Sequence, residues 1–363
     1  MIRTTTPRAK PARCNSAPLA RAGCNPATPT ATSGGHRPRP PGPHTAGPPR
    51  LPRPPRPRAS AARSLPAAMA LAGCTDASQT ASSGGQSASA SASTASNQTL
   101  IDSIDKDDAI AKLVPKSIAD KGTLTIGADA SYAPAEFVAA DGSTIIGYDV
   151  DYAEAMGKLM GVKVSFANAT FDTLIPSVGS KYDMSVSSFT ITAEREKQVN
   201  MISYFTAGMA KAVLKGNPKK IAADSLCGVT VAVETGTSEE ADAQAQDKTC
   251  RADGKSAVKI LSYKTQTDAT TNVIGGKADV SYADSMIIAY SIEQTNGAME
   301  QLGGITDAEP FGVVTAKKDD GLSKAVQAAT QKLIDDGTIK KILATWGNED
   351  GMIKTSQINP PVK

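Results

Sequence analysis

The feature that most constrains the fold is an alternation of strand and helix patterns that runs from Gly122 to Trp346. Segments with apolar residues at every second position alternate with segments whose apolar residues recur at helical spacing. The first series comprises 122–129, 148–160, 162–169, 171–178 and 182–188, and the second comprises 228–240, 257–263, 267–274, 277–284, 311–318, 322–337 and 339–346. This alternation predicts an α/β fold with a largely parallel sheet. The two series have a similar order and about 100 residues each, which predicts two lobes.

Polar clusters follow four of the predicted strands, at the ends where these strands finish. They are Asp129–Tyr132, Ser187–Thr190, Thr235–Ser238 and Asp284. In open α/β sheets, ligands bind outside the carboxyl ends of the strands. The four clusters therefore predict one ligand cleft between the two lobes.

Charge and histidine content exclude several classes of function for this body. The segment 1–73 holds 12 Arg and Lys and no acidic residue, whereas the chain from Cys74 onward has an excess of nine acidic residues. An acidic body argues against a nucleic-acid or anionic-membrane partner. Both histidines, His36 and His44, lie in the first segment. The body therefore lacks the residues for Ser-His-Asp or Cys-His catalysis and for His-containing metal sites, and no metal or cofactor is predicted.

The segment 1–73 is interpreted as a leader outside the folded body, because its Pro- and Arg-rich composition cannot bury a core. It ends in Leu71-Ala72-Gly73-Cys74, which resembles the lipobox of bacterial lipoproteins. In that motif the cysteine is lipid-modified, so Cys74 is the predicted site of lipidation. The alternative is a chance match in an Ala-rich stretch. The apolar run is short for a signal peptide and the text before it matches no signal n-region, which favours a mis-set start codon or an upstream frameshift.

The segment 74–111 is predicted to be a lipid-anchored tether. Its first part is Ser, Ala, Thr, Gly and Gln with little else, a composition typical of flexible linkers. Order is expected to begin near Lys112. No apolar stretch reaches the length that a transmembrane helix requires.

Cys227 and Cys250 are the two cysteines of the predicted globular body. In an exported protein, a pair in polar surroundings predicts a disulfide. The alternative is two free thiols in the cytosol.

Seven segments between about Thr123 and Gly347 carry a resemblance to a known family. They are TIGADASYAPAEF, GYDVDYAEAM, YDMSVSSFTITAERE, VAVETGTSEE, GGKADVSYAD, FGVVTAKK and DDGTIKKILATWG. In this order and spacing the chain resembles the polar amino-acid substrate-binding proteins of ABC importers, the extracellular solute-binding family 3. The resemblance implies a two-lobed clamp of the periplasmic-binding-protein type (type II) with two crossing hinge strands. Lobe 1 would comprise 112–207 and 312–363, and lobe 2 would comprise 208–311.

Carried over residue by residue, the resemblance implies that Arg195 binds the α-carboxylate of an amino acid. A planar guanidinium suits this role, because it pairs with carboxylates through two parallel hydrogen bonds. Ser188 and Thr190 would add hydroxyl or main-chain donors from lobe 1. Thr237 and Ser238 would close on the same carboxylate from lobe 2.

The resemblance also implies partners for the rest of the ligand. Asp284 would bind the α-ammonium group, with Ser187 as a second acceptor. Tyr132 would stack on the aliphatic stem of the ligand. Asp129 lies where some relatives hold a cationic or amide side-chain end.

Each of these residues has a structural alternative. Arg195 would be a solvated surface cation, and Asp284 would cap the helix that follows it. Tyr132 would belong to the core. The remaining residues would cap helices: Ser187, Thr190, Thr237 and Ser238. Thr192 already stands at an N-cap position, which argues against two of these caps. Glu136 is interpreted as a solvent-facing neighbour and Trp346 as packing of lobe 1.

One departure from the family pattern concerns the side-chain pocket. Many relatives have an aromatic residue directly after the proline of a YxPF motif, whereas Ala135 stands there in this chain. The identity of the ligand cannot therefore be copied from relatives.

The predicted function is capture of a polar amino acid, with a basic or amide side chain favoured, and its delivery to an ABC permease. The protein would be a monomer, lipid-anchored on the outer face of the cell membrane, and not an enzyme. The alternatives are an enzyme similar to cyclohexadienyl dehydratase, with Asp129, Glu136 or Glu239 as general acid, and a sensory binding domain on the same fold.

Overall fold

The computed structural model describes residues 97–362, all of which belong to one compact unit, Asp76–Lys363. The predictions made for the leader 1–73, for Cys74 and for the first part of the tether lie outside the described residues.

Eleven strands in the described part of the chain form two sheets. In chain order they are β1 Thr123–Ala128, β2 Ser131–Tyr132, β3 Glu136–Val138, β4 Ile145–Ile146, β5 Lys163–Asn168, β6 Met184–Thr190, β7 Val199–Leu214, β8 Thr230–Glu234, β9 Lys259–Tyr263, β10 Val280–Asp284 and β11 Met299–Ala316. The main sheet has eight strands in the order β5-β1-β6-β11-β7-β10-β8-β9, and β2, β3 and β4 form a small antiparallel sheet.

The helices cover the faces of the main sheet. They are α1 97–102, α2 Asp108–Ala111, α3 Lys116–Lys121, α4 Tyr148–Met160, α5 Phe171–Ser177, α6 Ala193–Glu196, α7 Ser238–Ala252, α8 Gln266–Ile274, α9 Ser285–Gln294, α10 Asp320–Asp335 and α11 Thr338–Thr345, followed by a 3₁₀ turn at Glu349–Gly351.

Two long strands divide the main sheet into two lobes. Strands β1, β5 and β6 pair in parallel and carry the first lobe, and β8, β9 and β10 pair in parallel and carry the second. Strands β7 and β11 pair antiparallel with each other and run through both lobes. Their pairing shifts register between Leu302 and Glu309, close to the crossing. The predicted α/β clamp with two crossing hinge strands is therefore confirmed.

The core of the first lobe follows from amphipathic helices that lie against the sheet. Helix α4 buries Tyr152 and Met156, and α10 buries Leu322, Val326 and Ala329. Apolar side chains at this spacing form one stripe along a helix, and their removal from water is the main favourable contribution to folding.

Packed structure begins earlier than Lys112, so the prediction for the start of order was wrong. Asn97 and Ile101 are fully buried, and the Asn97 amide Nδ2 donates to Asp151 Oδ2 at 2.7 Å. Ile110 is buried as well. The segment 97–111, predicted as tether, is therefore part of the first lobe, docked against α4 and α11.

The predicted disulfide between Cys227 and Cys250 is confirmed, with 5.5 Å between the two Cα atoms. It joins the segment before β8 to the last turn of α7, beside the core of the second lobe. Within 97–362, no helix is both long and apolar enough to cross a bilayer.

Candidate functional site

The two lobes meet along the carboxyl ends of their parallel strands, where the polar clusters were predicted to converge. From the first lobe, the Tyr132 hydroxyl donates to Asp284 Oδ2 at 2.7 Å, and Arg195 Nη2 donates to the Gly236 carbonyl at 3.0 Å. At the rim of the cleft, the Gln266 N–H donates to Ser131 Oγ at 3.2 Å. These contacts hold the cleft closed.

Arg195 lies in the short helix α6, where its position is set by Thr192 as N-cap. Its guanidinium carbon lies 5.3 Å from the centre of the Phe171 ring and 5.8 Å from that of Phe189, and Nη1 donates to the Thr190 carbonyl at 2.7 Å. Burial lowers the pKa of the guanidinium, and the nearby acids Glu239 and Asp284 act in the opposite direction. Arg195 is thus a cation held over aromatic rings in the cleft, unlike a solvated surface residue.

Asp284 ends β10 and occupies the N-cap position of α9, but its side chain makes no capping hydrogen bond. It points into the cleft, where it accepts from the Tyr132 hydroxyl. Burial, and then the charge of Glu239, raise the pKa of Asp284 well above its usual value. A cation in the cleft would stabilise the ionised form of this carboxyl group, because an opposite charge offsets both the cost of burial and the repulsion from Glu239.

Tyr132 is buried. In the closed cleft it is not only a core residue of the first lobe, because its hydroxyl also bonds to the second lobe. Its hydroxyl also accepts from the Asp284 N–H at 3.3 Å. Burial raises the pKa of Tyr132 well above its usual value, so the phenol stays protonated and donates.

Thr237 and Ser238 differ in role, although they are adjacent. Thr237 caps α7, since its hydroxyl accepts from the Glu240 N–H at 3.2 Å and donates to the Glu234 carbonyl at 2.8 Å. The Ser238 hydroxyl is buried and has no hydrogen-bond partner. The capping alternative therefore describes Thr237, whereas Ser238 has a hydroxyl available to a ligand.

Ser187 and Ser188 are neighbours within β6, and their side chains bond to different acids. The Ser187 hydroxyl accepts from the Asp129 N–H at 3.0 Å and donates to Glu136 Oε1. Ser188, whose φ is 46°, directs its N–H and its hydroxyl to Asp149 Oδ2 at 3.0 and 3.2 Å. Both donors of Ser188 are therefore engaged behind the cleft, and its predicted role as a ligand donor does not fit this arrangement.

Glu136 is wholly buried, so its interpretation as a solvent-facing neighbour was wrong. Burial, and then the charge of Asp149, raise its pKa well above the usual value. Asp149 accepts from the Tyr204 hydroxyl at 2.7 Å as well as from Ser188. Asp149 therefore has the donors that a buried carboxylate requires, whereas one oxygen of Glu136 has none.

Asp129 and Glu234 face each other from the two lobes. Asp129 directly follows β1, and its carboxylate accepts from the Ser131 and Phe171 N–H groups at 3.1 and 2.9 Å. Glu234 is the last residue of β8, and neither of its carboxyl oxygens has a hydrogen-bond donor. Burial raises the pKa of both side chains, and the charge of Asp129 is the second cause for Glu234.

Sequence reasoning missed Glu234 and did not assign Glu239 to the binding site. Both are buried, and one oxygen of Glu239 also has no donor. A signal for Glu234 was present, since an acid that ends an apolar strand stands at the edge where ligands bind. For Glu239 in the first turn of α7, the sequence offers only the ordinary preference of helix starts for acids. Among the described residues, no group of acids, His or Cys is arranged to hold a metal ion.

Comparison with known proteins agrees with this geometry. The profile of the bacterial extracellular solute-binding proteins, family 3, matches residues 124–349. The arginine-binding protein ArgT of Corynebacterium glutamicum is 36% identical over 252 residues, which cover 69% of this chain and 82% of that protein.

Two solved structures show the same fold. An ancestral arginine-binding protein bound to arginine has a TM-score of 0.57 and 32% identity, covering 62% of this chain and 98% of the other. The ancestral amino acid-binding protein AncCDT-1, a precursor of cyclohexadienyl dehydratase, has a TM-score of 0.58 and 33% identity, covering 65% and 99%. With the family profile spanning both lobes and the closed cleft between them, this chain belongs to the bacterial extracellular solute-binding proteins of family 3.

Proposed function

We propose that this protein captures a polar amino acid with a basic side chain, arginine being favoured, and delivers it to the permease of an ABC importer. One observation carries the proposal: the same closed cleft holds a cation and a buried acid, since Arg195 Nη2 donates to the Gly236 carbonyl at 3.0 Å and Asp284 accepts from the Tyr132 hydroxyl at 2.7 Å, both across the lobes. An α-amino acid presents a carboxylate and an ammonium group on one carbon. A cation and an acid in the same water-excluded cleft bind both groups at once and reject molecules that lack either one.

The roles follow from the contacts described above. Arg195 binds the α-carboxylate, to which Thr190 and the free hydroxyl of Ser238 contribute from the two lobes. Asp284 binds the α-ammonium group. The Tyr132 hydroxyl donates to the Asp284 carboxylate and accepts from the Asp284 N–H, and we assign its ring to the stem of the ligand. Thr237 and Ser187 contribute by positioning, the first as the cap of α7 and the second through Asp129 and Glu136.

Binding would select the closed arrangement, because only this arrangement brings groups of both lobes onto one ligand. We assign 112–207 and 312–363 to the first lobe and 208–311 to the second, with the crossing of β7 and β11 as hinge. The docked segment 97–111 supports adding these residues to the first lobe.

The chain would act outside the cytoplasm as a monomer, lipid-anchored at Cys74, and would not be an enzyme. The arginine-binding relatives support binding as its function, and AncCDT-1, the neighbour related to an enzyme, is itself described as amino acid-binding.

Thermal-shift screening of the purified protein against the twenty amino acids tests the proposal. A ligand that binds only the folded state raises Tm by mass action. We expect the largest shift with L-arginine. If no amino acid raises Tm, the proposed function is wrong.

Replacement Arg195→Ala tests the assignment of the carboxylate site. We expect the affinity for the identified amino acid to fall about 10- to 150-fold, since a hydrogen bond to a charged group is worth about 1.5–3 kcal/mol. Calorimetric titration measures the change. Arg251→Ala is the matched control, because Arg251 is an exposed residue of α7 paired with Asp247. A loss smaller than about threefold would contradict the assignment.

A further inference from the structure

The small sheet of the first lobe has two faces, and only one of them belongs to the ligand cleft. Strands β2 and β3 pair antiparallel, with Ser131 opposite Phe137 and Tyr132 opposite Glu136. Residues opposite each other project from the same face of a sheet, and neighbours along a strand project from opposite faces. Ser131 and Phe137 therefore share one face, and Tyr132, which reaches Asp284 in the cleft, lies on the other.

The strands of Ser131 and Phe137 contact helices α8 and α9 of the second lobe. The Ser131 hydroxyl accepts from the Gln266 N–H at 3.2 Å, and the Ser131 carbonyl accepts from the Thr267 hydroxyl at 3.3 Å. The centre of the Phe137 ring lies 6.0 Å from that of the Tyr290 ring in α9, with 47° between the ring planes. Aromatic rings at this separation and tilt attract each other.

Trp346 supports the Phe137 ring from within the first lobe. The two ring centres are 6.0 Å apart, and the planes are nearly perpendicular at 87°. Trp346 Nε1 in turn donates to Asp151 of α4 at 2.7 Å. Phe137 is therefore held by its own lobe in a position where its ring meets Tyr290 of the other lobe.

This second interface between the lobes is incompletely packed. A cavity with a volume of about 250 Å³ lies there, lined by Ser131 and Ala133 of the first lobe and by Gln266, Ile287 and Tyr290 among the residues of the second. A protein core has few voids larger than a water molecule. Because the lobes do not meet here as a close-packed core, the contact between the Phe137 and Tyr290 rings is a large part of what holds them together at this place.

The aromatic contact and the ligand site are built on the same elements. Helix α9 begins directly after Asp284 and also carries Tyr290, and the small sheet carries both Tyr132 and Phe137. A movement of the second lobe that withdraws Asp284 from Tyr132 therefore also parts Tyr290 from Phe137. The aromatic contact thus forms and breaks together with the cleft.

Resting on the amino-acid-binding function proposed above, we propose that Phe137 and Tyr290, supported by Trp346, form an aromatic latch that stabilises the closed cleft from outside it. The latch residues are positioning residues and do not touch the ligand. A ligand that requires the closed state binds in proportion to the population of that state. The latch therefore sets the affinity for every ligand by the same factor and leaves the preference among amino acids unchanged.

Calorimetric titration of the wild type, Tyr290→Ala, Phe137→Ala and the double variant tests the latch, with Tyr290→Phe as the matched control. The ligands are the two amino acids that raise Tm most in the thermal-shift screen. We expect Tyr290→Ala to weaken the binding of both by the same factor, about 3- to 12-fold, which is the range for one aromatic pair. Tyr290→Phe keeps the ring and should change either affinity less than about twofold.

The double variant isolates the contact between the two rings. If they act on each other, Tyr290→Ala has no partner to remove once Phe137 is truncated. Within the Phe137→Ala background it should therefore change affinity less than about twofold. Tm of each unliganded variant shows whether it folds, and Tyr290→Leu replaces Tyr290→Ala if the latter does not, since leucine removes the ring and keeps apolar volume.

Three outcomes would overturn the inference while the proposed function stands. One is an affinity that changes less than about twofold in the folded Tyr290→Ala variant. Another is an unequal loss for the two amino acids, which would place Tyr290 against the ligand itself. The third is a full loss from Tyr290→Ala within the Phe137→Ala background, which would show that the rings act independently. By contrast, failure of the wild type to bind any amino acid in the thermal-shift screen would refute the proposed function itself.

Discussion

Buried carboxyl groups occur in two regions of this molecule, and their surroundings differ. In α4 of the first lobe, away from the cleft, Asp151 accepts from Asn97 Nδ2 and from Trp346 Nε1, each at 2.7 Å. Asp149 of the same helix accepts from Ser188 and Tyr204. In the cleft, Asp284 accepts only from Tyr132 among the described side chains, and Glu234 accepts from none. Burial raises the pKa of the acid in both regions, so burial alone does not distinguish them.

The difference lies in what the fold provides as partners. In α4 of the first lobe, the chain provides N–H and O–H donors to the buried acids, and these hydrogen bonds hold neighbouring segments of the lobe together. In the cleft, Asp284, Glu239 and Glu234 lie near other acids, and the fold provides them with fewer donors. The hydrogen bonds of the first region stabilise the fold. Under the proposed function, the acids of the cleft gain their interaction energy only when a ligand binds.

The largest effect is expected for Asp149→Ala, because it removes the acceptor of several buried donors. The Tyr204 hydroxyl and the Ser188 N–H would be left without a partner, and the Ser188 hydroxyl would keep only the Tyr148 hydroxyl at 3.3 Å. We expect the free energy of unfolding to fall by about 3–5 kcal/mol, since each unsatisfied buried donor costs about 1–3 kcal/mol. Urea denaturation measures the loss, and Tyr204→Phe is the control that removes one donor only. A loss below about 1 kcal/mol would erase the distinction between the two regions.

For Asp284→Asn the comparison predicts the reverse pattern, a loss of binding with no loss of stability. Affinity for the amino acid should fall about 10- to 150-fold with the charge that binds its ammonium group. The unliganded protein should be as stable as the wild type or more so, because repulsion with Glu239 is removed. Titration calorimetry and Tm together report both quantities, with exposed Asp268→Asn as control. A reduced Tm with unchanged affinity would show that Asp284 stabilises the fold and does not bind the ligand.

The smallest effect concerns pH and Asp151. Burial raises the pKa of this side chain to about 6, with Asn97 and Trp346 acting in the opposite direction. Between about pH 4 and 6 the folded state then binds more protons than the unfolded state, so the free energy of unfolding falls as pH rises. We expect Asp151 to contribute a decline of about 2 kcal/mol over this range, since one pH unit is worth at most about 1.4 kcal/mol.

Asp151→Asn should reduce that decline, because an amide does not titrate. Urea denaturation of both proteins at pH 4, 5, 6 and 7 gives the difference. Identical slopes for the two proteins would show that Asp151 does not titrate in this range.

The sequence predicted those parts of the site whose signals are local or carried by motifs. Thr192 was placed at the N-cap of α6 from its position alone, and Arg195 and Asp284 from the motifs that contain them. The disulfide followed from two cysteines in an exported body. The strand and helix patterns found most elements of both lobes, because one face of each is apolar.

What the sequence did not reveal depends on contacts between distant segments. Strand β7 was not predicted from its pattern, because it is buried on both faces along most of its length and shows no alternation. Glu136 is buried as part of the small sheet, whereas Glu234 ends a strand of the second lobe close to Asp129 and Asp172 of the first. Ser188 was expected to face the ligand, but its positive φ turns its donors toward Asp149.

The docking of segment 97–111 on the first lobe has a mechanical consequence. Asn97 is bonded to Asp151, and Ile101 is sealed in the core, so a pull transmitted through the preceding chain acts on the first lobe. The second lobe is connected to that fixed body by β7 and β11, whose pairing is irregular near the crossing. With the chain anchored ahead of residue 97, as proposed, the first lobe would stay fixed and the second would rotate about this crossing. Opening of the cleft would then not require the first lobe to move.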